Sequence, residues 1–156
     1  MKKIPLTQGK VALVDDADFE WLNQWKWYAQ INRVGTWYAM HAFPGRPRQQ
    51  KISMHQLLFP TKLQVDHING NGLDNQRKNF REATNGQNKA NSRKEKGCSS
   101  RFKGVTWHKR DQRWQAMIQH NQKQMFLGYF TNEKHAALAY DTAAHLHFGE
   151  FARTNF

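Results

Sequence analysis

The polar segment between Val65 and Asn91 constrains the fold of this chain more than any other stretch. Its first half is rich in Asn, Gly and Asp, which favour tight turns, and it begins with the pair Asp66-His67. Its second half contains Thr84 followed three residues later by Gln87, a pattern that starts helices because each side chain satisfies a backbone N–H group. The segment therefore predicts a strand, a turn, a short strand and a helix, with Asp66 and His67 beside the start of the helix.

The residue types in this segment suit a divalent metal site. Mg²⁺ prefers oxygen ligands and keeps several waters; Asp66 offers a carboxylate and Asn88 an amide oxygen. His67 is suited to take a proton from water near neutral pH. Neighbouring strand residues point to opposite faces, so Asp66 and His67 can serve one phosphate only if His67 ends its strand. Asn79 is suited to hold the bend through hydrogen bonds to loop backbone. A solvated loop is the alternative, because Asn and Asp are also ordinary turn formers.

These residues resemble the HNH nuclease family with its ββα-metal core. The matching pattern is D-H-I-N-G-N-x-x-D-N-x-x-x-N-F-R, followed by N-x-x-N-x-x-N at the start of the helix. The resemblance implies that Asp66 and Asn88 bind the metal, that His67 is the general base and that Asn79 supports it. The last histidine of the family name is replaced by Asn88, as in the branch that includes phage and intron homing endonucleases. Two other residues are alternative ligands at that position, Asn85 and Asn91.

Composition favours small modules of mixed helix and sheet, an α+β fold, over one large core. The chain has 156 residues, of which 38% are hydrophobic and 13% aromatic. No run of eighteen apolar residues exists, so no membrane span or membrane partner is expected. The start of the chain lacks a signal-peptide pattern, and Cys98 has no second cysteine with which to form a disulfide. We therefore expect a cytoplasmic location, in a bacterial or phage-infected host cell.

Positive charge is concentrated in one part of the chain. The net charge is +12, and residues 77–113 alone carry twelve Lys and Arg against three Asp and Glu, a net +9. A partner with regularly spaced phosphates is the natural interpretation, because each neutralised phosphate releases counterions. The expected partner is double-stranded DNA.

Residues 1–61 are predicted to form a β-rich region that packs on the nuclease core. They contain a strand over 10–14, a short helix over 18–22 and an aromatic hairpin, followed at 51–59 by a strand or a short helix. The segment resembles the amino-terminal region of phage and bacterial HNH proteins. His55 is expected to be a packing residue. Three basic residues are expected to grip DNA, namely Arg46, Arg48 and Lys51.

The nuclease core is predicted to span 62–96, with a basic linker over 97–101 and a second module over 102–156. That module has three strand patterns near 103–108, 114–119 and 124–130. A helix follows over 133–147, with Thr131 or Asn132 as its cap and Gly149 at its end. Three antiparallel strands packed on one helix leave the other sheet face open. We expect that face to be polar and to read a DNA groove.

The second module resembles the ethylene-response-factor (Apetala) type of DNA-binding domain. The matching residues are F-K-G-V, F-L-G-Y-F, A-A-x-A-Y-D-x-A-A and the terminal T-N-F. The resemblance implies a sheet in the major groove, with Arg110 and Arg113 near the phosphates. Several positions differ from the plant proteins, so their sequence preference does not transfer. The positions implied to face DNA are Lys103, Thr106, His108, Met117, Gln119, Gln124 and Phe126.

The sequence as a whole predicts a metal-dependent HNH endonuclease of the homing type, using Mg²⁺ or Mn²⁺. A monomer has one active site and cuts one strand, whereas a homodimer or sequential nicking would break both. One alternative is a non-catalytic DNA-binding regulator that retains the HNH scaffold. The other is an RNA-binding or RNA-cleaving protein, which fits less well because the A-form major groove is too narrow for side chains.

Overall fold

The computed structural model describes residues 1–43, 50–95 and 97–156. Helices and sheets are both present, so the predicted α+β class is confirmed. The chain forms two compact units, Met1–Ala83 and Thr84–Phe156, and this division falls inside the predicted nuclease segment 62–96. Arg46 and Arg48, predicted to grip DNA, lie outside the described residues.

The first unit contains three small sheets, with strand orders β1-β2-β7, β3-β4-β5 and β6-β8. All neighbouring strands in these sheets are antiparallel except β2 and β7, which run parallel. The elements are β1 (Lys2–Pro5), β2 (Val11–Val14), α1 (Asp16–Leu22), β3 (Tyr28–Ile31), β4 (Trp37–Ala42), β5 (Lys51–Ser53), α2 (Met54–Leu58), β6 (Gln64–His67), β7 (Asp74–Asn75) and β8 (Phe80–Ala83).

One core joins these short elements. Ile4, Val14, Leu22 and Met54 are at most 2% exposed and pack in the same cluster as Trp27. Large side chains from short elements bury enough apolar area to stabilise sheets of only two or three strands.

The segment 51–59, for which a strand and a short helix were alternative predictions, contains one of each. Ser53 and Gln56 form a capping box. The Ser53 side chain accepts a hydrogen bond from the Gln56 N–H group, and the Gln56 side chain accepts one from the Ser53 N–H group. The capping box ends β5 and starts α2 at the same residue, because the cap has extended backbone geometry while the next residue is helical. His55 is consequently placed on the first turn of α2.

The second unit consists of a helix, a three-stranded antiparallel sheet of order β11-β10-β9, and a long helix. Its elements are α3 (Asn85–Asn91), β9 (Val105–His108), β10 (Arg113–His120), β11 (Lys123–Phe130) and α4 (Glu133–Phe148). Four alanines of α4 lie buried, and their small side chains let the helix approach the sheet closely. In the described part of the chain, no helix is both long and apolar enough to cross a membrane.

Both ends of α4 carry the residues predicted for them. Asn132, rather than Thr131, is the cap, and its side chain accepts a hydrogen bond of 2.8 Å from the Lys134 N–H group. Gly149 follows the last helical residue with φ of 52°, a conformation that favours glycine. The terminal T-N-F returns to this helix, where the Asn155 amide donates to the Asp141 carboxylate at 2.8 Å.

Strand β9 begins two residues later than predicted, because the backbone at Gly104 lies close to the Tyr140 ring. Gly104 has φ of +75°, and a β-carbon there would lie 1.9 Å from the Tyr140 ring. Only glycine fits this position, and the strand begins after it, at Val105.

Candidate active site

The predicted pair Asp66-His67 ends one strand of the β6–β8 hairpin. Asp66 lies opposite Arg81 and His67 opposite Phe80 in the antiparallel register. His67 is the last residue of β6, which is the position that the argument about strand faces required. The two residues are only 4% and 5% exposed, so the carboxylate and the imidazole are both largely shielded from water.

The Asp66 carboxylate is held by an arginine on the partner strand. The Arg81 Nε donates to Asp66 Oδ2 at 2.9 Å, and the two side chains are 12% and 5% exposed. A buried carboxylate is stable in its charged form only when it is paired and hydrogen-bonded. Arg81 meets this requirement and fixes the direction of the carboxylate.

Asn79 fastens the loop that follows His67. Its Nδ2 donates to the Asp74 carbonyl oxygen at 2.8 Å and to Asn69 Oδ1 at 3.1 Å, and its Oδ1 accepts from the Asn69 N–H group at 3.1 Å. The Ile68 N–H group donates to the Asn79 carbonyl oxygen at 2.9 Å. Asn79 therefore makes the backbone hydrogen bonds that its predicted supporting role requires.

The Asn- and Gly-rich turn is exposed at Asn69 and Asn71, but several polar residues that follow it are buried. Asp74, Asn75, Gln76 and Asn79 are each at most 9% exposed. The Asp74 carboxylate accepts from Asn69 Nδ2 at 2.8 Å and from Gln76 Nε2 at 2.7 Å. β7 also pairs with β2, which ties the turn to the core of the unit. The loop is therefore solvated at Asn69 and Asn71 and buried at Asp74 and Asn75, whereas turn-forming residues alone predict a solvated loop throughout.

A bidentate ion pair anchors the far end of the same loop. The Arg77 guanidinium donates to both carboxylate oxygens of Asp18, each at 2.8 Å, and to the Leu58 carbonyl oxygen at 3.2 Å. The Arg77 N–H group also donates to Asp15 Oδ2 at 2.8 Å. The pairing lowers the pKa of Asp18, chiefly through its hydrogen bonds to Arg77.

Rings from three other elements surround the His67 imidazole. His55 on α2 lies 4.9 Å away in an edge-to-face arrangement, Phe80 lies 5.2 Å away and Tyr38 on β4 lies 6.0 Å away, measured between ring centres. The Tyr38 ring lies close to the loop backbone at Gly72, where an added β-carbon would be only 2.6 Å from the ring. These contacts restrict the rotation of the His67 ring.

Burial keeps both histidines neutral. Desolvation lowers the pKa of His67, an effect that the neighbouring Asn75, Asp66 and Asp74 partly offset. Desolvation, followed by repulsion from His67, lowers the pKa of His55 to about 3. A neutral imidazole has a lone pair that can accept a proton. The site therefore contains a histidine in the protonation state that a general base needs.

Sequence reasoning placed His55 as a packing residue but missed its contact with His67, and it missed Tyr38 altogether. Neither residue belongs to the pattern between Val65 and Asn91. Both reach the site through tertiary packing, for which a single sequence carries no spacing signal.

The amide ligand predicted for a metal belongs to the second unit. Asn88 lies on α3, with the alternatives Asn85 and Asn91 one turn to either side. The predicted capping box at the start of this helix is confirmed, since Thr84 and Gln87 exchange hydrogen bonds of 3.3 and 2.8 Å. In the ranges 1–43, 50–95 and 97–156, there is no cluster of three or more His, Cys, Asp or Glu side chains that could hold a metal ion.

Most of the predicted DNA-facing residues share one face of the second unit's sheet. The register pairs Gln119 with Gln124 and Met117 with Phe126, and it aligns Arg113 with His108. Alternation along the strands puts the outward residues on the side away from α4. The residues of this outer face are Thr106, His108, Arg113, Gln115, Met117, Gln119, Gln124, Phe126 and Tyr129; Arg110 lies in the turn beside it.

The outer face is mostly polar, but it also presents two exposed aromatic side chains. Phe126 is 55% exposed and Tyr129 37% exposed. The cause is a β-bulge, since the register shifts between Ala116 and Met117 and leaves Leu127 as an extra residue on β11. Without the bulge, Phe126 and Tyr129 would point to opposite faces because they are three positions apart.

Lys103 contacts α3 instead of standing on the outer face. Its ammonium donates to the carbonyl oxygens of Ala90, Ser92 at 2.8 Å and Lys89 at 3.4 Å. Burial, followed by repulsion from Arg153, lowers the pKa of Lys103 to about 8. A DNA contact by Lys103 stays a prediction, and one that would require the ammonium to leave these carbonyls.

Comparison with known proteins gives one informative similarity. The chain is 28% identical over 156 residues to a protein named as an uncharacterized HNH endonuclease from Acanthamoeba polyphaga mimivirus, across 95% of this chain and 76% of the relative. No protein-family profile matches the chain. The similarity suggests a nuclease of the HNH type and carries no information specific to the sheet-and-helix module.

Proposed function

We propose that this protein is a metal-dependent HNH-type endonuclease that binds duplex DNA and hydrolyses its phosphodiester bonds. The observation that carries the proposal is the buried Asp66-His67 pair at the end of β6, beside a loop fastened by Asn79. A surface carboxylate and imidazole would need no such support. The similarity to a viral protein named as an HNH endonuclease points to the same activity.

His67 is proposed to deprotonate the attacking water. Burial lowers its pKa, so the imidazole is in the neutral form that a general base requires. The rings of His55 and Phe80 hold the imidazole plane, while Asn79 holds the backbone directly after it. Fixing a general base in this way removes the rotational freedom that a mobile side chain would lose during the reaction.

Asp66 and Asn88 are proposed to hold Mg²⁺ or Mn²⁺, with Asn85 and Asn91 as the alternative amide ligands. The donor set fits these ions, because carboxylate and amide oxygens are hard ligands and a site with few protein ligands leaves room for retained waters. Such an ion, when bound, would stabilise negative charge on the phosphate and on the leaving 3′-oxygen. Arg81 orients the Asp66 carboxylate through a contact of 2.9 Å.

The proposal is tested by the conversion of supercoiled plasmid to nicked or linear DNA. A plasmid library covers unknown target sequences, and Mg²⁺ and Mn²⁺ are each tried with and without EDTA. We expect metal-dependent nicking that His67→Ala abolishes and that His145→Ala, an exposed histidine on α4, leaves unchanged. Linear product from a single binding event would indicate a homodimer. Cleavage that persists in His67→Ala would contradict the assignment of the base.

One observation favours a second candidate, a non-catalytic DNA-binding protein. The Asp66 carboxylate already has a buried arginine partner, which lessens its need for a metal ion. Tight, salt-sensitive duplex binding without cleavage in any divalent metal would support this candidate. Competition between duplex DNA and duplex RNA in the same binding assay distinguishes a DNA partner from an RNA partner.

A further inference from the structure

Three aromatic rings form a continuous row on the outer face of the second unit's sheet. Phe126 contacts Tyr129 with ring centres 5.0 Å apart, and Tyr129 contacts His108 with ring centres 5.3 Å apart. Tyr129 lies on β11 and His108 on β9, so the row crosses the middle strand β10. We call these three residues the aromatic row.

The aromatic row is exposed although the same unit has cores in which rings could be buried. Phe102 and Tyr140, on other elements, are 8% and 5% exposed, whereas Phe126 is 55% exposed. A bulge at Leu127 is what brings Phe126 and Tyr129 to the same side of β11. Bulges re-aim side chains and are found next to functional sites. The bulge therefore places both rings on the exposed face of the sheet.

Cationic side chains border the aromatic row. Arg113 shares the outer face, and Lys109 and Arg110 are exposed in the turn between β9 and β10. Arg110 and His108 both contact Asp111, at 3.1 and 3.2 Å. Asp111 lies in the same turn, and the three strands themselves carry no carboxylate. The surface combines flat apolar rings with positive charge, which matches a chain of bases joined by phosphates.

We propose that the aromatic row binds unpaired nucleotides, so that this sheet recognises single-stranded or locally opened DNA. The inference rests on the proposed function to the extent that the protein acts on DNA. In a duplex the flat faces of the bases are covered by their neighbours, and a groove offers only base edges. Phe126 has no hydrogen-bonding group, so the one base-edge group that it can contact in a groove is a thymine methyl. An unpaired base offers a face that can stack on a ring, whatever its identity.

The experiment measures fluorescence anisotropy of a labelled dT strand of about 12 nucleotides, a matching duplex and an abasic strand with the same phosphates. The proteins are the wild type, the double variant F126L/Y129L and Phe156→Leu, which removes an exposed ring that lies outside the sheet. Circular dichroism checks that each full-length variant is folded. Leucine retains apolar volume and removes the ring, so loss of binding reports stacking rather than burial.

We expect the double variant to bind the dT strand about tenfold more weakly or worse, because base–aromatic stacking is lost. The Phe156→Leu variant should bind like the wild type, and the abasic strand should bind the wild type as weakly as the dT strand binds the double variant. Equal dT binding by wild type and double variant would overturn the inference. So would a loss confined to the duplex, which would indicate that the rings insert between stacked base pairs.

The same proteins separate this inference from the nuclease proposal. Plasmid nicking by the wild type, combined with dT binding that ignores the rings, would refute only the role of the aromatic row. Ring-dependent dT binding without nicking in any metal would refute only the nuclease. Absence of ring-dependent dT binding together with absence of nicking in every metal would refute both.

Discussion

The His55→Phe substitution should make the first unit less sensitive to acid. Burial beside the Tyr38 and His67 rings lowers the pKa of His55 from 6.5 to about 3. Its Nδ1 is buried and has no hydrogen-bond partner among the described residues, so protonation would place an unpaired charge there. Below pH 6.5 the unfolded chain therefore binds a proton that the folded chain does not. The free energy of unfolding must then fall as the pH falls from 6.5 towards 3.

The size of this effect follows from the two pKa values. At pH 5 the unfolded imidazole is almost fully protonated and the folded one is not, which costs about 2 kcal/mol of stability relative to pH 7.5. Phenylalanine retains the ring and has no charge to gain. Its main loss is the 3.0 Å contact between Ser53 Oγ and His55 Nε2, and Ser53 Oγ still contacts Gln56 Oε1 at 2.6 Å. At pH 7.5 the variant should therefore lie within about 1 kcal/mol of the wild type.

Urea unfolding at pH 7.5 and pH 5 measures the difference. Four of the six tryptophans, Trp21, Trp25, Trp27 and Trp37, belong to the first unit, so their fluorescence reports its unfolding. The wild type should lose about 2 kcal/mol more than His55→Phe between the two pH values. His145→Phe, on the exposed surface of α4, controls for the change in composition. Equal acid sensitivity of wild type and His55→Phe would refute the reasoning, because every other titrating group is common to both.

Three further substitutions test contacts in the two units. Asn79→Ala removes hydrogen bonds from the Asn69 N–H group and the Asp74 carbonyl, so urea unfolding should show a loss of about 2 kcal/mol; an unchanged midpoint would contradict the anchoring role. Arg77→Ala leaves the buried Asp18 carboxylate without its bidentate partner and should also cost about 2 kcal/mol, less than a fully buried pair because Arg77 is half exposed. Arg77→Lys should recover only part of that loss. Gly104→Ala forces a β-carbon to within 1.9 Å of the Tyr140 ring at φ of +75°, so thermal melting of the second unit should show a loss of about 3 kcal/mol. The added substitution Tyr140→Ala should relieve the clash without restoring full stability. A wild-type melting temperature for Gly104→Ala would exclude the close approach.

Features that depend on neighbouring residues were predictable from the sequence. The Thr84 and Gln87 capping box and the Asn132 and Gly149 ends of α4 all form where the residue pattern places them. These signals are short-range, because a cap or a helix end depends on atoms within four residues along the chain. The strands of the second unit were predicted to within two residues for the same reason, since alternation is a local pattern.

Features that depend on distant residues were not predictable. β7 exists because Asp74 and Asn75 pair with β2, some sixty positions earlier, and two polar residues give no strand signal of their own. His55 and Tyr38 reach His67 only after the first unit has packed. The bulge at Leu127 changed which side chains face solvent, and alternation alone assigns the wrong side once one residue is inserted.

The Lys103 side chain limits how this protein can be dissected. Its ammonium caps the carbonyl end of α3, a helix of seven residues that is too short to persist alone in water. A fragment that stops in the basic segment 92–101 would retain α3 without its cap, and the helix that carries Asn88 would fray. A chimera that replaces the sheet-and-helix module must therefore supply an equivalent lysine. Transplanting the sheet-and-helix module together with α3 keeps the cap and its helix in one piece.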